Sequence, residues 1–205
     1  MEVFLFPLVN VTLFPKTTKP LNIFEPRYIE MIYKSMETLT PIAIGFIEDP
    51  AQVSRVVPGN RVSFVREVCG YGQPQVVERR DNGTLLIFVT GQGKVRLGPV
   101  VDKPLPFLVC EAEKVEENIA LSEKSSQRLE TLQQVLSRWI QSHVPDPRQR
   151  EIFSRNLKGP EEIVGAAGAY LVKDYDMQQL LLEMPDLDLK VDMLFRLFES
   201  NEFAV

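Results

Sequence analysis

The sequence holds one histidine, two cysteines and one tryptophan, and each scarcity closes a route to function. A serine or cysteine triad would have to run through His143. That residue stands in the proline-rich segment HVPDPRQR, a setting that suits an exposed position between helices. Cys69 and Cys110 are too few for a disulfide framework or a zinc cluster, and their apolar neighbours fit small buried side chains. Positive charge is not in excess. The 23 lysines and arginines face 28 acidic residues, a net −5 that is the wrong sign for a broad nucleic-acid footprint. Long apolar runs are missing too. The opening MEVFLFPLVN carries Glu2, Pro7 and Asn10 and has no basic start, so it reads as neither secretion signal nor membrane span, and the expected address is cytoplasmic. Gly-x-Ser-x-Gly and His-Glu-x-x-His are both absent, and no catalytic residue, metal or cofactor is expected.

One stretch invites a nucleotide reading. In VTGQGKVRLGPV, Gly91-Gln92-Gly93-Lys94 looks like part of a phosphate loop. A working phosphate loop has a longer spacer between its glycines, then Lys and Ser or Thr at the mouth of a helix. Here a single residue separates the glycines, and Val95-Arg96-Leu97 continues a strand-like alternation without a hydroxyl for magnesium. The stretch is expected to be a strand, its glycines allowing a bulge or sharp bend.

What the sequence does contain falls into two halves. Up to about Glu117 it is strand-rich, with VFLF, IAIGFI, GTLLIFVTG, KVRLGPV and FLVCEAEKV as strands. Asp81-Asn82-Gly83 between QVVERR and TLLIFV is a hairpin turn. A single helix interrupts this half, opening at Pro26, with Tyr28, Ile29, Ile32, Tyr33, Met36 and Leu39 at helical spacing. From Asn118 the pattern is helical. Leu129, Leu132, Val135, Leu136, Trp139 and Ile140 form one stripe, and further helices are expected from Pro160, around MQQLLLEM and over LKVDMLFRLFES. HVPDPRQR reads as a loop because of its two prolines. The expected division is therefore 1–117 and 118–205, in an α+β fold.

FPLVNVTLFPKTTKPLNIFEPRYIEMI resembles the opening of the amino-terminal domain of Lon protease, and IFEPRY resembles its stand-alone bacterial members. Val68-Cys69-Gly70, Asp81-Asn82-Gly83-Thr84, VTGQGKVRL and LLLEMPDLDLKVDMLFRLFES follow in the family's order and cover nearly the whole length. Lys94 stands where the family often has arginine, a mild change for an exposed cation. Neither the ATPase phosphate loop nor the serine–lysine protease domain of Lon is found in the sequence. The resemblance implies a PUA-like pseudobarrel half with one inserted helix, then a helical bundle. It further implies a non-catalytic module that binds protein or unfolded polypeptide. The alternative is an RNA or small-ligand binder, since PUA-like folds elsewhere bind RNA; RQREIFSRNLK is its one locally basic stretch.

The candidate binding segment is NIFEPRYIE. It joins Phe24 and Tyr28 to Glu25, Arg27 and Glu30, the mixture of aromatic and arginine side chains that dominates binding hot spots. The competing expectation is that Pro26 opens the helix while Phe24 and Tyr28 staple it to the sheet.

Overall fold

The computed structural model describes residues 1–203. Its strand-rich half runs β1 (Glu2–Val9), β2 (Thr18–Ile23), α1 (Pro26–Thr38), β3 (Ile42–Ile47), β4 (Val68–Arg79), β5 (Leu85–Val101) and β6 (Leu108–Val115). A short 3-10 turn at Pro50–Gln52 follows β3. Helices α2 (Glu123–His143), α3 (Pro147–Asn156), α4 (Pro160–Tyr170), α5 (Tyr175–Glu183) and α6 (Leu187–Glu199) complete an α+β architecture. The chain separates into two compact units, Met1–Val115 and Glu116 onward.

The sheet runs β2-β5-β4-β3-β1-β6, and β6 also pairs with β5. The 17-residue β5 makes this closure possible, because its first part pairs with β2 and its last part with β6. The ring β5-β4-β3-β1-β6 is thereby closed, which removes most free strand edges. Strands β1 and β3 read as continuous apolar runs because both faces are covered. Val3 and Leu5 join one cluster with Ala43, Cys69, Val95 and Cys110. Phe4 and Phe6 join another with Ile42, Ile44 and the α1 residues Met31 and Ile32. Each fully buried side chain of this kind contributes roughly 1.5–3 kcal/mol.

The glycine stretch is a strand. Tyr71 pairs with Gly93 and Gly72 with Gly91, leaving Gln92 as the extra residue of a β-bulge. The Gly91 amide donates to the Thr17 carbonyl oxygen at 2.8 Å, and its carbonyl accepts from Lys16 N–H at 2.8 Å. The amide that a phosphate would need is thus engaged in pinning the loop between β1 and β2. At the other end of the β4–β5 pair, the expected hairpin turns through Gly83, whose φ of +82° is the left-handed region that glycine tolerates best.

Four features differ from the sequence reading. Strand β2 was not expected, since TKPLNI has neither clean alternation nor a β-branched run; pairing with β5 makes it a strand. In α1 the buried residues are Tyr28, Met31, Ile32 and Ser35, while Tyr33, Met36 and Leu39 are exposed. Leu39 has left the helix as a left-handed C-cap, and the Ser35 hydroxyl is satisfied by the Thr40 carbonyl at 2.6 Å. Lys94 is not an exposed cation but 2% exposed, on a strand paired to Gly70 on one side and Val115 on the other. Finally, HVPDPRQR is only partly a loop. Pro147 occupies the first turn of α3, where a missing N–H costs nothing, and Asp146 caps it by accepting from Arg148 N–H. His143 is the last residue of α2, stacked on Trp139 at 4.7 Å.

The second unit is held by caps and ion pairs as well as by apolar stripes. The stripe on α2 buries Leu129, Leu132, Val135, Leu136 and Ile140, with Trp139 at its margin. Asp186 caps α6, accepting from Asp188 and Leu189 N–H and from the Asn118 amide. Lys190 on α6 meets Glu117 at 2.7 Å with both side chains largely out of solvent.

Candidate functional site

The strand ladder between β1 and β6 stops early. The pairs run from Glu2 with Glu111 to Leu5 with Leu108, although β1 continues to Val9. Beyond that point the segment before β6 swings away from β1; Leu105 N–H instead donates to Lys103 O at 2.8 Å in a local turn. The gap left behind is a groove of about 380 Å³ in the strand-rich unit.

Each wall of the groove has a local cause. β1 contributes Leu5, Pro7 and Leu8, and β3 ends on it with Ile47. The irregular segment after the 3-10 turn supplies Val53, Ser54 and Val56, and the turn before β6 supplies Leu105, Pro106 and Phe107. The start of α1 supplies Glu25, Arg27 and Tyr28, because Pro26 in the first helical turn fixes the entry angle. The floor is therefore apolar and the rim carries charge.

That charge is internally balanced. The Arg27 Nε donates to Glu25 Oε2 at 2.9 Å and Nη2 reaches the same oxygen at 2.7 Å, with both side chains about half exposed. Such a pair adds under about 1 kcal/mol to stability. The Arg27 guanidinium also lies 4.5 Å from the centre of the Tyr28 ring, and that ring packs on Phe6 at 4.5 Å. Burial pushes the Tyr28 hydroxyl above its ordinary value, Arg27 pulls it down and Glu25 pushes it up.

Of the five residues expected from sequence, three are brought together at this groove: Glu25, Arg27 and Tyr28. Tyr28 is buried and does staple α1 to the sheet, whereas Phe24 is 71% exposed and staples nothing. Phe24 and Glu30 do not line the groove. Sequence reasoning missed Leu8, Val53 and the Leu105–Phe107 turn. These lie far apart in the chain and carry no shared pattern; the prolines of KPLPFLV were the only local sign.

A second, wider cleft of about 520 Å³ is lined by Arg61, Arg96, Glu111 and Glu113 beside the amino terminus. Both arginines there are committed to Glu67, at 3.0 and 3.5 Å. Among the described residues no group of three or more His, Cys, Asp or Glu could hold a metal ion, and no helix is long and apolar enough to cross a membrane.

This order of a closed strand ring with one inserted helix and then a set of helices is similar in fold to solved Lon amino-terminal domains. The fold matches the N-terminal domain of a Lon protease of the Mycobacterium avium complex with a TM-score of 0.71 at 14% identity, over 98% of this chain and 99% of that one. It also matches a Lon N-terminal domain protein from Xanthomonas campestris with a TM-score of 0.67 at 16% identity, over 96% and 98%. A search of curated proteins finds no match for the sequence. The family described as the ATP-dependent protease La (LON) substrate-binding domain matches residues 2–200, and the chain belongs to that family.

Proposed function

We propose that this chain is a non-catalytic polypeptide-binding module and that the groove beside β1 is where it binds. The observation that carries the reading is an apolar floor under a rim whose one arginine is neutralised by Glu25. Such a rim offers no net positive charge to a phosphate backbone, which favours polypeptide over RNA. Its guanidinium can still form hydrogen bonds to main-chain carbonyls, and apolar side chains gain by leaving water. Phe24, exposed and next in the chain to the rim residue Glu25, extends the apolar surface, and the exposed Glu30 completes the candidate segment. The setting proposed is the cytoplasm.

The test is binding of a dye-labelled octapeptide of alternating leucine and threonine, followed by anisotropy. Arg27→Ala is expected to weaken binding about fivefold while shifting the melting temperature by no more than about 2 °C, because the pair it breaks is exposed. Leu8→Ser is expected to weaken it further. Unchanged affinity in both variants would place the binding surface elsewhere.

A further inference from the structure

The groove lies along a stretch of β1 that has no partner strand on one side among the described residues, and that edge specifies how a ligand would lie in it. Phe4 N–H donates to Pro41 O at 3.0 Å on the β3 side of β1. Main-chain groups alternate along a strand, so Phe6 and Leu8 also face β3, while Leu5, Pro7 and Val9 face the opposite way. Leu5 is matched there by Leu108, the last pair of the β1–β6 ladder. Among the described residues no strand pairs with Pro7 or Val9 on that side. The Pro7 carbonyl and both polar groups of Val9 therefore point to the side that β6 vacates, where Pro7, Leu8 and Phe107 line the groove and Val9 follows directly on Leu8.

We infer that the groove takes an extended polypeptide as an added antiparallel strand on Phe6–Val9, continuing the place of β6. The inference rests on the polypeptide-binding reading above and makes it specific. Recognition would be mainly through the ligand's backbone, with an apolar side chain at every second residue lowered onto the floor. Main-chain pairing tolerates varied sequence, and the apolar alternation selects segments that a folded protein would bury. Pro7 limits the strength of the contact. It supplies an acceptor but no donor, so one rung of the added ladder is missing, and the same lack guards the edge against pairing with another copy of the chain.

The same leucine–threonine octapeptide tests this in two N-methylated forms, one methylated at every leucine and one at every threonine. In an added strand only one of these sets turns its N–H groups towards β1. One form should therefore bind at least about tenfold more weakly than the other, each lost hydrogen bond removing several-fold in affinity. Binding of the parent peptide should also slow hydrogen exchange at the Val9 amide. Pro7→Ala, which restores a donor, should bind the parent peptide about threefold to tenfold more tightly. Equal affinity of the two methylated forms, an unprotected Val9 amide, or no tightening in Pro7→Ala would each overturn strand addition while leaving the groove as the binding site. Absence of any binding by the parent peptide would instead remove the polypeptide-binding reading, and this inference with it.

Discussion

A methyl group placed on Gly91 would sit 2.2 Å from the Phe14 carbonyl oxygen and 3.0 Å from its carbon. These are backbone atoms that cannot rotate away, and the two hydrogen bonds holding the Lys16–Thr17 loop pass through the same residue. Gly91→Ala is therefore expected to cost about 2–4 kcal/mol in denaturant unfolding. Gly83→Ala is the informative comparison, because nothing lies within 4 Å of its added carbon and only the positive φ opposes it. It should cost about 1 kcal/mol. Similar values for the two would refute the close-approach argument. The strand identity of this stretch was legible in the alternation after Lys94, but the burial of Lys94 was not. A lysine in a strand pattern looks the same whether its neighbours leave it open or close over it.

At the scale of elements, the start of α6 and the start of α2 are tied by acids. The Ser122 backbone N–H donates to Asp188 at 2.7 Å, and that bond, with those from the Ser125 and Ser122 hydroxyls, holds the Asp188 carboxyl below its ordinary value. Burial pushes Asp192 up, but the hydrogen bond and charge of Arg128 and the charge of Arg196 outweigh it and leave it lowered. A carboxyl depressed in the folded state contributes stability above its unfolded value and loses it as the pH falls through the folded one. Thermal melting followed by helical ellipticity should accordingly show a falling midpoint below about pH 4. In Asp188→Asn the midpoint should start lower at pH 7 and fall less on acidification. An identical acid profile in the variant would show that Asp188 is not part of this linkage. Helix α3 shows what element-level reading can mistake: the same proline that forbids a helix interior opens one when Asp146 stands before it as a cap.

At the scale of the molecule, each unit has its own apolar core and its own terminal fastenings. The amino terminus is tied to Ala112 in the first, and Asn118 and Glu117 are tied to Pro185, Leu187 and Lys190 in the second. Residues 1–115 and 116–205, produced separately, are each expected to melt cooperatively, the first with strand and the second with helical ellipticity. A fragment that remains unfolded under native conditions would refute its independence. By composition the polar, serine-bearing segment EENIALSEKSS suits a connector between the strands and the helices. Its first residues are instead hydrogen-bonded to the start of α6, a contact between positions nearly seventy apart that no local pattern records.

The class of fold, the order of strands first and helices after, the hairpin at Gly83, and the buried runs of β1, β3 and α2 were determined by sequence alone. Each depends on a local period or a single residue's backbone preference, and those are written in neighbouring positions. The closing of the ring by a strand long enough to hold two partners, the true buried face of α1 and the groove itself were decided only by tertiary structure. The groove exists because the β1–β6 ladder ends at Leu5, four residues before β1 does, and the walls described above come from five separate segments. NIFEPRYIE could nominate Arg27 and Tyr28 by residue type. Only the fold could set them beside the open main chain of Pro7 and Val9, because an unpaired strand edge is a property of what fails to lie next to it.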